Sequence, residues 1–388
     1  MPVKNRFAEL LPEITAWRRD FHEHPELLFD VHRTAGRVAG LLRDFGCDEV
    51  VEGIGRTGVV GVIRGRTDTR RRVIGLRADM DALPILEATG LPYASRTPGR
   101  MHACGHDGHT AMLLGAAKYL CETRAFDGTV VLIFQPAEEG GGGGREMVAD
   151  GVLDRWAVQE VYGMHNMPGI PVGHFAIRPG AMMASADQFD VVVTGKGGHA
   201  ARPHDAVDTT LVASHIVVAL QSIASRNVDP LKQAVVSVCS FLTGSDAYNV
   251  IPQTVRLKGT VRAMDPKVQD LLEARIRSVC EHTALVFGAT ADVDYRRGYP
   301  VTMNTPENTA YAAAVARAIS PHVDEDTAPL MGAEDFSFML NERPGAYIFT
   351  GNGDTAMVHH PAYNFDDAVI PFGASWYAGM AEARMPVA

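Results

Sequence analysis

The stretch "GHTAMLLGAAKYLCETRAFDGTVVLIFQPAEE" (108–139) joins a helix pattern directly to a strand pattern. Its first half places Ala, Leu and Met at helical spacing, and its second half is a β-branched run that ends at Gln-Pro. Similar strand patterns lie on both sides of it, in "TGVVGVIRG" (57–65), "RVIGLRADM" (72–80) and "EVYGMHNMP" (160–168). Because strands that alternate with helices usually pair in parallel, the sequence predicts an α/β fold with a mostly parallel sheet and helices on both faces.

The middle of the chain has a different order of elements, namely strand, helix, two strands, helix and strand. These segments are 189–195, 208–226, 234–242, 254–264, 266–288 and 289–298. This βαββαβ order is that of the ferredoxin-like unit. Since 305–319 returns to the helical pattern of the first part, we interpret residues 188–298 as an inserted domain. Residues 1–187 and 299–388 then form the other domain.

Composition excludes several classes of function. The chain has 388 residues and a net charge of −10, and no block of Lys and Arg stands out, so nucleic acid is not an expected partner. No apolar run reaches membrane-spanning length, which argues against a membrane partner. Five scattered cysteines do not form a disulfide framework. We therefore expect a protein of the reducing cytoplasm.

Potential metal ligands and acid–base groups cluster where the predicted strands end and in two loops. Open α/β sheets place their sites at the carboxyl ends of the strands, so these side chains are expected to converge. The candidates are Asp79 and Asp81 after the second strand, Glu138 and Glu139 after the third, His165 at the fourth, Cys104 and His106 before the long helix, and His359 and His360 near the end of the chain.

The cluster contains more ligand candidates than one tetrahedral ion needs. Two ions that share a bridging ligand would use five protein donors and leave room for water. Glu138 and Glu139 then divide the work, because one carboxylate can ligate while the other acts as a general base.

Two other interpretations of the cluster remain open from the residues alone. Cys104 could be a nucleophile with His106 or His109 as its base. A structural zinc ion is the second, although the chain has no Cys-x-x-Cys pair. The glycine motif "GIGRTG" (53–58) precedes a strand rather than a helix, so we interpret it as a turn and not as a dinucleotide-binding loop.

A set of motifs, in order along nearly the whole chain, resembles the M20 metallopeptidase family. The resemblance is to its amidohydrolase branch, which includes hippurate hydrolases, N-acyl-amino-acid aminoacylases and plant auxin-conjugate hydrolases. The motifs are "RADMDALP" (77–84), "HACGHDGHT" (102–110), "QPAEEG" (135–140), "GMHNMP" (163–168), "GKGGHAARPH" (195–204), "NVIPQTVRLKGTVR" (249–262), "GAEDFSF" (332–338) and "HHPAYNFDD" (359–367).

The resemblance implies two divalent metal ions per subunit, zinc or manganese in the first place and cobalt or nickel as alternatives. Glu138 would be the base that activates the attacking water, and Asp81 would orient the site. His359 is preferred to His360 because the family's last ligand stands two residues before a proline. The implied ligands are Cys104, which would bridge the ions, and His106, Glu139, His165 and His359.

The resemblance also implies that the inserted domain is a lid and dimerisation domain. His199 would stabilise the oxyanion from the partner subunit of a homodimer, and Asn249 and Arg262 would bind the substrate carboxylate. His199 could instead cap a turn, and Arg262 could pair with a carboxylate on the sheet.

The implied reaction is hydrolysis of an N-acyl-L-amino acid, such as hippurate, to a carboxylic acid and an amino acid. A dipeptidase or carboxypeptidase of the same family is one alternative. A non-catalytic ligand-binding protein with a degenerate site is another.

Overall fold

The computed structural model describes residues 5–387, in which two compact units are present. The first unit contains the chain up to Met182, Met303–Ala328 and the chain from Asp335 onward, and the second contains Met183–Thr302 and Pro329–Glu334. The strands are β1 Glu49–Ile54, β2 Gly58–Arg64, β3 Val73–Asp79, β4 Thr129–Gln135, β5 Glu160–Met167, β6 Phe175–Ala176, β7 Gly180–Met183, β8 Ala186–Thr194, β9 Gly198–His199, β10 Ala234–Thr243, β11 Val250–Ile251, β12 Thr254–Ala263, β13 Thr290–Tyr299, β14 Thr302–Asn304, β15 Val323–Asp324 and β16 Gly345–Gly351. The α-helices are α1 Asn5–Glu23, α2 His32–Phe45, α3 His106–Thr123, α4 Gly143–Ala149, α5 Val152–Arg155, α6 Thr209–Ser222, α7 Pro266–Val286, α8 Pro306–Ile319, α9 Ser337–Glu342 and α10 Ile370–Arg384.

The first unit is built on an eight-stranded sheet in the order β1-β2-β4-β3-β5-β16-β6-β15. Its centre is parallel, since β3 pairs in parallel with β4 and β5, and β5 does so with β16. Strands β3, β4 and β5 are buried along almost their whole length, as is typical of parallel strands covered on both faces. The prediction of an α/β fold with a mainly parallel sheet is confirmed.

Helix α3 lies at the centre of the first unit's core. Its residues 106–117 are all buried, and in 111–117 small and aliphatic side chains lie all round the helix. It packs against α1, α2, α10 and β3. The helix that carries the motif "HACGHDGHT" at its start is therefore held from every side.

The second unit contains a four-stranded antiparallel sheet in the order β10-β12-β8-β13. Helices α6 and α7 pack together and against this sheet, and the sequence of main elements is βαββαβ. This is the strand order of the ferredoxin-like unit, so the predicted arrangement of the insertion is confirmed.

Two details of the sequence interpretation are resolved by the fold. "GIGRTG" is the turn of the antiparallel β1–β2 hairpin, with Gly55 at φ 59°, and no helix follows it. In the glycine run at 140–144, the first residues form a turn, and Gly143 and Gly144 begin α4. Among residues 5–387, no helix combines the length and the hydropathy that crossing a bilayer would need.

Candidate metal centre

The centre lies where the central strands of the first unit end. Strand β3 ends at Asp79 beside the end of β4 at Gln135, and the chain after β4 continues to Glu138 and Glu139. His165 is near the end of β5. The backbone N–H of His359 donates to the Ala103 carbonyl at 2.7 Å, which brings the late loop to the loop that precedes α3.

The structure brings all five predicted ligands together. The Cys104 Sγ lies 3.3 Å from the His165 Nε2. The Glu139 Oε1 lies 3.4 Å from the His359 Nε2 and 3.9 Å from the His106 Nε2. Potential ligand atoms lie within 4.8 Å of one another in five groups of the described residues, three of which join the predicted ligands: Cys104, His106 and His165; Cys104, Glu139 and His359; and His106, Glu138 and Glu139. A fourth group joins His106 to Asp79 and His109.

His360 has a different environment from His359. Its Nδ1 accepts the backbone N–H of Ala362 at 3.0 Å, and it belongs to none of the groups of ligand atoms found within residues 5–387. This contrast supports the choice of His359.

The two buried histidines of the cluster present the same ring nitrogen to the site. The Nδ1–H of His106 donates to the Asp81 carbonyl at 2.8 Å, and the Nδ1–H of His165 donates to the Asn166 carbonyl at 2.5 Å. With each Nδ1–H donated to a carbonyl, Nε2 is the ring nitrogen that is left to face a metal ion. Metal-binding histidines are usually oriented by such a second hydrogen bond.

Two buried atoms of the cluster lack a hydrogen-bond partner among residues 5–387, the His106 Nε2 and the Glu139 Oε1. Buried polar atoms are almost always partnered, so these two require an explanation. Burial would lower the pKa of His106, but Asp79, Asp81 and Glu139 overcome that effect and raise it to about 10. Burial, and next Glu139, raise the pKa of the Cys104 thiol. The cluster therefore favours positive charge, and it holds two donor atoms, the His106 Nε2 and the Glu139 Oε1, that a metal ion could contact. Both properties fit a site for divalent cations.

Asp81 fixes the backbone of both glutamates. Its Oδ1 accepts the Glu138 N–H at 2.9 Å, and its Oδ2 accepts the Glu139 N–H at 3.2 Å. The same carboxylate lies 3.5 Å from the His106 Nδ1. Burial raises the pKa of Asp81. An orienting residue is expected to make contacts of this kind.

His109 lies one helical turn after His106, but both of its ring nitrogens are occupied. Its Nδ1–H donates to the Asp79 Oδ1 at 2.6 Å, and its Nε2 accepts the Asn166 backbone N–H at 3.0 Å. Asp79 in turn accepts from Arg77 at 2.7 Å. These contacts leave neither His109 nor Asp79 well placed as a ligand, although both lie near His106.

Sequence analysis gave no role to the buried Asp335, which joins three segments behind the centre. Its carboxylate accepts from Arg77 at 2.9 Å, from Gln135 at 2.6 Å and from the backbone N–H of Gly144 at 2.8 Å. It thereby fixes the glycine-rich turn to the ends of β3 and β4. The signal in the sequence was Arg77, a charge inside an otherwise apolar strand, because a buried charge requires a partner.

The environment of Cys104 argues against a cysteine nucleophile. Activated thiols have a lowered pKa, whereas burial and three carboxylates raise that of Cys104. His102 is buried and belongs to none of the ligand groups found in the described part of the chain. Asp107 accepts from Arg18 at 3.3 Å and from His22 at 2.8 Å. In the motif "HACGHDGHT", protein contacts thus occupy Asp107 and His109, and His102 lies apart from the groups of possible ligands.

The remaining candidate residues lie in the second unit. His199 on β9 pairs with Val250 on β11, next to Asn249, and both predicted residues line a groove of about 510 Å³. The His199 Nδ1 accepts the Ala201 N–H at 3.1 Å, so its ring proton lies on Nε2, where it can donate outward. Both side chains are exposed.

Arg262 is half-buried on β12, in the central part of the second sheet. Its guanidinium donates to the Thr260 hydroxyl and to the Val261 carbonyl, rather than to a carboxylate. Burial lowers the pKa of Arg262, and the charge of Asp187 opposes that effect.

Comparisons with known proteins agree with this geometry. The chain is 44% identical over 376 residues to the hippurate hydrolase of Campylobacter jejuni, covering 96% of this chain and 97% of that protein. It is 40% identical to the N-acetylcysteine deacetylase of Bacillus subtilis, over 94% of both chains. The crystal structure of the YXEP protein of Bacillus subtilis, described as a dinuclear metal-binding peptidase of the M20 family, is similar with a TM-score of 0.85 and 34% identity, covering 97% of this chain and 99% of that chain. Residues 75–383 match the model of peptidase family M20/M25/M40, and the chain therefore belongs to that family.

Proposed function

We propose that this protein is a metal-dependent amidohydrolase that cleaves N-acyl-L-amino acids to a carboxylic acid and a free amino acid. One observation carries the proposal. Five side chains of the types that bind metal lie close together, and two of their buried atoms, the His106 Nε2 and the Glu139 Oε1, have no hydrogen-bond partner among residues 5–387. Glu138 lies beside them. The relatives named hippurate hydrolase and N-acetylcysteine deacetylase support this substrate class.

Cys104, His106, Glu139, His165 and His359 would hold two divalent ions, with zinc or manganese preferred and cobalt or nickel as alternatives. Bound there, the ions would polarise the amide carbonyl and lower the pKa of water.

The protein's own side chains then transfer the proton and bind the substrate. The Glu138 carboxylate takes a proton from the attacking water as oxygen bonds to the amide carbon, and it delivers that proton to the nitrogen as the C–N bond breaks. Asp81 keeps Glu138 in position through the backbone N–H. The Nε2–H of His199, contributed by the partner subunit, donates to the oxyanion. Asn249 and Arg262 bind the free carboxylate, for which a planar guanidinium is well suited.

The second unit would be the lid and dimerisation domain of a homodimer. Its helix α6 exposes Leu211 to 50% and Val218 to 71%, and the edge strand β10 exposes Phe241 and Leu242. A second copy that covers this apolar surface and the free strand edge would bury both. The cysteines of the described chain are free thiols, which supports a cytoplasmic location.

Replacement Glu138→Gln tests the assignment. We expect unchanged metal content and a loss of about 10²–10⁴-fold in kcat on N-benzoylglycine, since general-base catalysis contributes that much. Glu146→Gln, a glutamate of α4, is the matched control and should keep full activity. Wild-type turnover by Glu138→Gln would exclude Glu138 as the base. A panel of N-acyl amino acids and dipeptides separates the proposal from the peptidase alternative, and absence of both metal and hydrolysis would leave only the ligand-binding alternative.

A further inference from the structure

Two thiols face each other at the edge of the first unit's core, far apart in sequence and outside the metal centre. The Sγ atoms of Cys47 and Cys121 lie 3.7 Å apart, and both side chains are partly exposed. Cys47 follows the end of α2, and Cys121 lies in the last turn of α3. A disulfide has an S–S distance of about 2.05 Å, so the sulfur atoms need to approach by only roughly 1.7 Å.

The backbone on both sides of Cys47 is fixed to the end of α3. The Arg124 guanidinium donates to the Gly46 carbonyl at 2.9 Å and to the Asp48 carboxylate at 2.7 Å. The Cys47 N–H donates to the Leu42 carbonyl at 3.1 Å, in the turn that ends α2. Because Arg124 directly follows α3, these contacts hold the two thiols opposite each other.

The surroundings give the two sulfur atoms different roles. A hydrogen bond from Cys47 lowers the pKa of Cys121, and Arg124 adds to this against the effect of burial. The same hydrogen bond, and next burial, raise the pKa of Cys47. These directions favour Cys121 as the attacking thiolate and Cys47 as the thiol that follows.

We propose that Cys47 and Cys121 form a reversible dithiol that a peroxide oxidises to a disulfide. The Cys121 thiolate attacks a peroxide oxygen, the O–O bond breaks and hydroxide leaves, which gives a sulfenic acid. The Cys47 sulfur then attacks the Cys121 sulfur, the S–O bond breaks, and hydroxide leaves and takes up the Cys47 proton as water. In total two thiols and one hydrogen peroxide give one disulfide and two waters. A dithiol reductant reverses the reaction.

The other cysteines provide internal controls. Cys239 is exposed and lies near the Ser237 carbonyl, Cys280 is buried in the second unit's core, and Cys104 belongs to the metal centre. Among the described residues, Cys47 and Cys121 are the pair of cysteines whose sulfur atoms lie within hydrogen-bond distance of each other.

The experiment treats the metal-loaded protein with hydrogen peroxide and maps its peptides without reduction. We expect one cross-link, between the peptides that contain Cys47 and Cys121, with a mass lower by two hydrogens. We also expect a rise in Tm that dithiothreitol reverses, because the new bond constrains the unfolded chain. Cys239→Ser should behave like the wild type. Cys47→Ser should lose the cross-link and accumulate Cys121 as sulfinic acid.

Three results would overturn the proposal: thiol loss without the cross-link, a cross-link that uses Cys239 instead, or the same Cys121 product and rate in Cys47→Ser as in the wild type. The peptide map of the wild-type protein decides the question even if a variant folds poorly. Since the map does not depend on hydrolysis, the outcome is independent of the proposed amidohydrolase function.

Discussion

Replacing Asp81 by Asn should weaken the metal centre without removing a ligand. The carboxylate accepts the backbone N–H groups of Glu138 at 2.9 Å and Glu139 at 3.2 Å, with one oxygen for each. An amide keeps one of these acceptors and turns an NH₂ group toward the other N–H. A buried N–H that loses its acceptor costs about 1–3 kcal/mol, and the surviving bond loses roughly 1 kcal/mol because its acceptor is no longer charged.

Together, the lost and the weakened hydrogen bond should cost Asp81→Asn about 2–4 kcal/mol at the turn that carries Glu138 and Glu139. Part of it should appear as a lower free energy of unfolding of the metal-free protein. The rest should appear as weaker metal binding, of about 10–100-fold, as is usual when a group that orients metal ligands is lost. Activity should fall with it, because Glu138 shares the displaced backbone.

The chain offers a matched control in Glu26. Its two carboxylate oxygens accept the backbone N–H groups of Arg33 at 3.1 Å and Thr34 at 2.8 Å, at the start of α2. Glu26→Gln therefore makes the same chemical change at a carboxylate that contacts none of the predicted ligands, and it leaves the Glu26 carbonyl, which accepts the Ala82 N–H at 2.8 Å, unchanged. Metal affinity is measured by competition with a chromophoric chelator, and unfolding by urea. If Asp81→Asn binds metal as the wild type does, or if Glu26→Gln weakens binding equally, the orienting role of Asp81 is refuted.

Three further predictions concern other parts of the first unit. Cys104→Ser should lower the metal content found by elemental analysis, because a hydroxyl is a poorer ligand for soft and borderline ions than a thiolate; unchanged content would exclude Cys104 as a ligand. Arg77→Met removes the guanidinium that pairs with the buried carboxylates of Asp79 and Asp335, so urea unfolding should show a loss of about 3–5 kcal/mol. Burial would lower the pKa of His22, but Asp107 raises it to about 9 from 6.5. The stability that His22 contributes is therefore complete below pH 6.5 and is lost as the pH rises through about 9. His22→Gln should therefore lower the free energy of unfolding of the metal-free protein more below pH 6.5 than above about pH 9. Equal losses in both pH ranges would contradict this.

The elements that hydrophobic periodicity marks clearly were predicted within a few residues. Strand β4 was expected within 128–139 and runs over Thr129–Gln135, and α7 was expected at 266–288 and runs over Pro266–Val286. Strand β1, Glu49–Ile54, was missed because it is an edge strand with charged residues and an incomplete apolar pattern. A segment whose burial is one-sided and irregular has no clear apolar period, so its sequence pattern does not predict a strand.

The site shows a different limit. His106 and His109 are three residues apart on one helix, so spacing alone places both on the same face. What separates them is the group that each Nδ1 meets: the Asp81 carbonyl for His106 and the Asp79 carboxylate for His109. The His109 Nε2 also accepts the backbone N–H of Asn166, which lies on β5, 57 residues further along the chain. Contacts made by other strands occupy the His109 Nε2 and leave the His106 Nε2 without a hydrogen-bond partner among the described residues. A local motif does not contain these contacts.

Contacts that involve none of the proposed ligand atoms hold the motif "HACGHDGHT" in place. Asn166 donates to the Cys104 carbonyl at 2.6 Å, and a Cβ on Gly105, at φ 91°, would lie 2.2 Å from the same Asn166 amide. On the other side, Asp107 is held by His22. The loop that presents Cys104 and the helix start that presents His106 are thus fixed by protein contacts alone. Since these contacts do not involve the ligand atoms, removal of metal should leave α3 folded and the donors close to their bound positions, which reduces the ordering that metal binding must impose.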